Sequence, residues 1–177
     1  MHSDISSGAL RRLIDASPIP LTLASPVFED CPLIHVNDAF LELTGYRRDE
    51  VIGRNCRFLQ GPDSDADARR KMREAIQSQR EVGVSIVNYR KGGERYQSFV
   101  VLHPIFNSAG RISFFLGSQY ETSALKPRLT IGEHASLLDE RIDIGAAEIA
   151  RADGLLLAPK APTVALLEGI AGASTTT

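Results

Sequence analysis

Soft metal ligands are scarce in this sequence: two cysteines, Cys31 and Cys56, and four scattered histidines, His2, His35, His103 and His134. No Cys-x-x-Cys pair occurs, so the clustered, short-spaced ligands of a zinc site are missing and no metal is expected. Excess charge is missing too. Twenty Lys and Arg stand against 22 Asp and Glu, a net charge of -2. Such a chain has no basic field to attract nucleic acid or an anionic membrane surface. No apolar run approaches the roughly 20 residues that a membrane helix needs. Met1-His2-Ser3-Asp4 lacks the basic start and apolar core of an export signal. The expectation is a cytoplasmic protein with reduced thiols.

What is present suffices for a packed core. Hydrophobic residues are 43% of the 177, which fits one ordinary domain plus extensions. Residues 4–16 carry Leu10, Leu13 and Ile14 at helical spacing, with Ser6 and Ser7 as candidate caps and Pro18 as a stop. Leu21 to Ala24 and Leu33 to Val36 read as short strands. Asn37 or Asp38 can cap a helix bearing Phe40, Leu41 and Leu43 that stops at Gly45, and Arg48 to Ile52 adds a helical turn. Asp63 to Gln79 reads as the best helix, with acidic residues at its N-terminus and Met72, Ala75 and Ile76 as its stripe. Arg69 and Arg73 share a face beside that stripe.

Three longer strands follow. Glu81 to Arg90 and Glu94 to Ile105 are joined by the hairpin signal Lys91-Gly92-Gly93, and Arg111 to Tyr120 comes after the turn Asn107-Ser108-Ala109-Gly110. Alternation groups Val84, Ile86 and Asn88 on one face, then Ser98, Val100 and Leu102, then Phe115, Gly117 and Gln119. Each face is mainly apolar with one polar residue, the pattern of a binding cavity. Ile131 to Ala152 has a helical apolar rhythm, Leu155-Leu156-Leu157 and Val164 to Ile170 add apolar surface, and Ala171 to Thr177 reads as frayed. From Glu121 onward there are eight acidic and five basic residues, unlike the basic face of a DNA reader. No kinase or cyclase domain fits in so short a tail.

The most informative stretch is Gly53-Arg54-Asn55-Cys56-Arg57-Phe58-Leu59-Gln60-Gly61-Pro62. It sets one thiol between an amide and a guanidinium and closes with a second amide. That chemistry suits a flat, heteroaromatic, phosphorylated ligand held by its edges beside a sulfur atom. The stretch resembles the signature of LOV domains, the flavin-binding blue-light sensors of the PAS superfamily. Asp38-Ala39-Phe40-Leu41-Glu42-Leu43-Thr44-Gly45-Tyr46, Asn88-Tyr89-Arg90-Lys91-Gly92-Gly93 and Phe115-Leu116-Gly117-Ser118-Gln119 resemble its flanking segments. The resemblance covers roughly Pro18 to Glu121.

It implies an α+β PAS/LOV fold: a five-stranded antiparallel sheet with helices on one face enclosing a flavin, plus N- and C-terminal helical extensions. The corresponding division is an N-terminal cap over residues 1–17, the flavin-binding domain over 18–121 and a C-terminal extension over 122–177. The implied function is blue-light reception by a short LOV protein without a fused effector or an enzyme. Light drives a reversible bond between Cys56 and flavin C4a, and N5 gains a proton. Gln119, facing N5, then relays the change through the sheet. By the same resemblance, Asn55 and Gln60 fix the ribityl chain and ring edge. Arg57 and Arg73 grip the phosphate, with Arg69 either joining them or lying on the surface. Asn88 bonds the pyrimidine edge, and Gly117 allows close approach. Thr22, Leu59, Met72, Ile76, Val100, Leu102 and Phe115 complete the lining. Three positions depart from the usual pattern: Ala24 for a frequent Thr, Cys31 for an Asn near the ribityl chain, and Ser98 for a second Asn. The loop after Gln60 has no insertion, which favours FMN over FAD. With no enzyme on the chain, output passes to an unknown protein partner, through terminal helices that form a homodimer or merely cover the sheet. The alternative is a PAS-type redox or ligand sensor that uses Cys56 without photochemistry.

Overall fold

The computed structural model describes residues 8–123 and 130–157. Its helices are α1 (Ala9–Asp15), α2 (Asp38–Thr44), α3 (Arg48–Val51), α4 (Ala66–Gln77) and α5 (Ile131–Asp153). Its strands are β1 (Leu21–Ala24), β2 (Leu33–Val36), β3 (Val82–Tyr89), β4 (Arg95–Asn107), β5 (Ile112–Glu121) and β6 (Leu155–Leu157), and a one-turn 3-10 helix spans Cys56–Leu59. Ser6 and Ser7, Val164 to Ile170 and Ala171 to Thr177, each given a role above, lie outside the described residues.

Local chemistry sets most of these boundaries. Asn37 caps α2 by accepting from the Phe40 N–H at 3.0 Å, and Gly45 ends it in the left-handed conformation, φ 74°. Asp65 caps α4 by accepting from the Ala68 N–H at 2.7 Å. That helix therefore starts three residues after the expected Asp63. Ser64 instead accepts from the Gly61 N–H and donates to the Val87 carbonyl, which ties the helix entry to β3.

The strands run in the order β2-β1-β5-β4-β3, all antiparallel, giving the expected five-stranded sheet. A sixth strand, β6, pairs with β4 over Ile105–Asn107, beyond the point where β3 pairing ends. The period-two alternation gives the sheet two different faces. On one, Leu21, Leu23, Phe99, Val101, Ile105, Phe114 and Leu116 form a single core with Leu10 and Ile14 of α1 and Leu138, Ile142 and Ile149 of α5. The terminal helices thus cover this face.

Helix α1 is too short to persist alone in water, and its N-cap, Gly8, supplies no side chain. Its cap comes from the far end of the chain: the Asp153 carboxylate accepts from the Ala9 and Leu10 N–H groups at 3.2 and 2.9 Å. Gly145 lets α1 approach closely, since a Cβ there would fall 2.4 Å from Leu13 Cδ1.

The opposite face carries Thr22, Val84, Ile86, Asn88, Ser98, Val100 and Gln119, all buried. Ala68 and Met72 of α4 pack on Val84, Ile86, Val100 and Leu102. A second cluster joins Leu33, Val36, Phe40, Val51 and Leu59, with Ala24, Cys56 and Phe58 packed against it.

Candidate functional site

The inner strip is assembled across four strands by register. Thr22 lies opposite Gly117, Ala24 opposite Phe115, Leu102 opposite Gly117 and Val100 opposite Gln119. Val84 faces Val100, Ile86 faces Ser98 and Asn88 faces Tyr96. Gly117 is required here, because a Cβ would fall 2.5 Å from Thr22 Oγ1. Gly61 is fixed similarly. The Tyr89 ring lies where its Cβ would be, at 2.4 Å, so the chain leaves the 3-10 helix pressed against β3.

Cys56 opens the 3-10 helix, and Gln119 donates from Nε2 toward its sulfur at 3.7 Å. The thiol is half-buried, and the protein packed around it disfavours a thiolate, pushing its pKa up to about 12. Cys56 is therefore a protonated thiol at neutral pH. On its other side, Gln119 accepts at Oε1 from the Tyr96 hydroxyl at 3.3 Å. Asn88 lies directly across from Tyr96 in the β3–β4 register. A polar chain, Tyr96–Gln119–Cys56, thus leads from β4 through β5 to the 3-10 helix.

Tyr96 is absent from the residues picked out by sequence. The signal was available: it lies two positions before Ser98, on the same face, and it is 2% exposed. The Arg90 guanidinium sits 4.6 Å above its ring, held by both Glu121 oxygens at 2.8 Å.

The remaining sequence-derived residues divide into three groups. Leu59 is buried, while Gln60, Met72 and Ile76 are half-buried. The Asn55 amide is engaged with backbone: Oδ1 accepts from the Arg57 N–H, and Nδ2 donates to the Asp30 and Cys31 carbonyls. Arg57 forms a two-pronged ion pair with Asp30, at 2.5 and 2.6 Å, a partner the sequence did not suggest. These bonds hold Asp30 and Cys31 in successive left-handed conformations, φ 65° and 47°, a strained arrangement for non-glycine residues. Cys31 is half-buried, and burial raises its thiol to about 11. On α4, Arg70 pairs with Asp67 and Glu74, and Lys71 with Asp67. Half-buried Arg69 and exposed Arg73 make no ion pair among the described residues. They are left as two unneutralised cations one turn apart.

The strip fits a flat ring with polar edges. Ser98 Oγ is fully buried and has no hydrogen-bond partner among the described residues, an arrangement that calls for an external polar group. Asn88 and Gln119 present amides on the same face, and Cys56 brings sulfur to the Gln119 end.

Comparison with known proteins agrees with this geometry. The PAS domain family model matches residues 20–124. The chain is 45% identical over 103 residues to blue-light-activated histidine kinase 1 of Erythrobacter litoralis, covering 58% of this chain and 29% of that protein. It is 43% identical over 101 residues to phototropin-2 of rice, covering 57% of this chain and 11% of that protein. It thus spans less than a third of the length of these two relatives. Among solved structures, the Rhodobacter sphaeroides LOV protein superposes with a TM-score of 0.70 at 33% identity, over 81% of this chain and 82% of that one. The LOV domain of the Erythrobacter litoralis EL346 blue-light-activated histidine kinase is matched over 98% of its length and 60% of this chain, with 39% identity and a TM-score of 0.58. From these matches and the register of its site residues, the chain belongs to the PAS domain family and, within it, to the LOV domains.

Proposed function

We propose that the chain is a blue-light photoreceptor that binds FMN against the inner face of its sheet, with Cys56 as the reacting thiol. The observation that carries this reading is the Cys56 sulfur, set 3.7 Å from the amide of Gln119. Bound flavin supplies blue absorption and, once excited, a ring carbon that takes sulfur and a ring nitrogen that takes the thiol proton, reversibly in the dark. For that chemistry Cys56 must deliver both sulfur and proton, and a thiol with a pKa of about 12 carries both at neutral pH. The same value disfavours the redox-sensor alternative, because thiolate is the nucleophile in thiol chemistry.

Asn88 and Ser98 would meet the polar ring edge, with Thr22, Ala24, Leu59, Met72, Ile76, Val100, Leu102, Phe115 and Gly117 as the walls. Gln60 would bond the ring edge or side chain, while Asn55 and Cys31 shape the adjoining loop. Arg57, Arg69 and Arg73 would hold the phosphate, for which a guanidinium fork is well matched. Phosphate binding by Arg57 would compete with Asp30.

Output would pass to protein contacts rather than to catalysis on these residues. Gln119 faces the site, and its neighbour Tyr120 stacks edge-on against His134 of α5 at 5.1 Å. This gives a short mechanical route from the site to the terminal helices, through which a cytoplasmic homodimer and a downstream protein partner would be reached. No described helix is long and apolar enough to cross a membrane.

The test is an absorption spectrum before, during and after a blue pulse on wild type and C56A. Reversible loss of the blue band in wild type, absent in C56A, is the expected result. A colourless or light-insensitive wild-type protein would overturn the reading. Light scattering in dark and light tests the dimer separately.

A further inference from the structure

We propose that Tyr96 is a positioning residue that sets the resting orientation of the Gln119 amide and biases Gln119 back to it after light. This deepens the photoreceptor reading and rests on it.

An amide has a donor at one end and an acceptor at the other, and a half-turn exchanges them. The structure distinguishes the two orientations. At rest, the Tyr96 hydroxyl donates to Gln119 Oε1 at 3.3 Å, and Gln119 Nε2 faces the Cys56 sulfur at 3.7 Å. Both ends of the Gln119 amide are then matched. After a half-turn, Nε2 would face the phenol oxygen, which can accept from it. The phenol hydrogen would then lose its acceptor.

Water cannot readily compensate. Tyr96, Gln119 and Asn88 are 2, 3 and 4% exposed. Nor can the ring easily swing away, because Arg90 lies over its face and is clamped by Glu121. Burial also keeps the phenol protonated, so the hydroxyl remains a donor. A buried donor deprived of its acceptor is costly, so the rotated amide is the disfavoured state. When Cys56 releases its proton toward the ring side of the site, Gln119 must turn Oε1 there. Tyr96 opposes that turn and speeds its reversal.

The experiment compares wild type, Y96F, Q119L and the double variant, each with FMN bound. Removing the hydroxyl should slow dark recovery of the blue band about fivefold, the ratio given by one hydrogen bond of typical net strength. It should also move the side-chain amide resonance of Gln119 in protein labelled with 15N-glutamine and kept dark. In the Q119L background, Y96F should leave recovery unchanged, because the partner through which it acts is gone. In wild type with ring-13C tyrosine, the light-minus-dark infrared spectrum should contain a tyrosine C–O band, a readout that requires no substitution.

Unchanged or faster recovery in Y96F would overturn the assignment. An equal slowing in both backgrounds, or no tyrosine infrared band, would do the same. The dark Gln119 resonance separates the two levels of argument: unmoved by Y96F, it sinks the Tyr96 role whatever the photochemistry. A wild-type protein that ignores light would instead sink the photoreceptor reading itself.

Discussion

At the scale of single residues, the site combines satisfied and unsatisfied groups. Gln119 and Tyr96 are fully engaged with each other, whereas Ser98 Oγ is buried without a partner. An orphaned hydroxyl costs stability in the empty protein and repays it only when a ligand supplies a partner. S98A should therefore leave the apoprotein as stable as wild type or more so, by up to about 1 kcal/mol, while weakening FMN binding several-fold. Calorimetric melting of the apoprotein and fluorescence titration with FMN measure the two effects. Unaltered FMN affinity would remove Ser98 from the binding surface. Most residues of the site were legible in sequence because the signature and the strand alternation mark them. Tyr96 and Asp30 were not. Tyr96 matters through a partner across the strand, and Asp30 through an arginine 27 positions away.

At the scale of elements, the unexpected device is the pairing of the two chain ends. A seven-residue helix with a glycine at its N-cap would fray, yet α1 is held by a carboxylate from the last residue of α5. The neighbouring Arg12–Glu148 pair is exposed and adds little. D153A should cost about 1 kcal/mol, the usual worth of an N-terminal cap. The loss should appear first as faster amide exchange within residues 9–15. Exchange in α1 equal to wild type would show that packing of Leu10 and Ile14 suffices without the cap. Periodicity announced both helices, but the capping of α1 by Asp153 joins residues more than 140 positions apart. No local pattern records such a contact.

At the scale of the whole molecule, the second face of the sheet makes the fold sensitive to acid. His134 of α5 is 4% exposed, lies against Tyr120, and its Nε2 has no partner among the described residues. Desolvation lowers its pKa to about 4. The folded-state value lies below the ordinary 6.5, so the neutral ring favours folding above that pH. This contribution is lost progressively as pH falls from 6.5 through about 4. The full swing is about 3 kcal/mol at the usual conversion per pH unit. Melting temperatures between pH 7 and 4 should fall less steeply for H134F, which keeps an aromatic ring beside Tyr120. Parallel pH profiles for the two proteins would place the acid sensitivity elsewhere.

The sequence by itself determined the five main strands, the Asn37 and Gly45 ends of α2, the signature loop and the inward-facing alternation, because these follow from spacing along one segment and from the chemistry of adjacent residues. It also carried the family. The tertiary structure alone decided that a sixth strand, β6, extends the sheet on β4 and that α1 and α5 close the sheet's second face around one core. It also decided that Asp30 clamps Arg57 and that Tyr96 bonds Gln119. These are contacts between segments far apart in the chain, and their energies depend on burial and exact approach, which no local alternation of residues encodes.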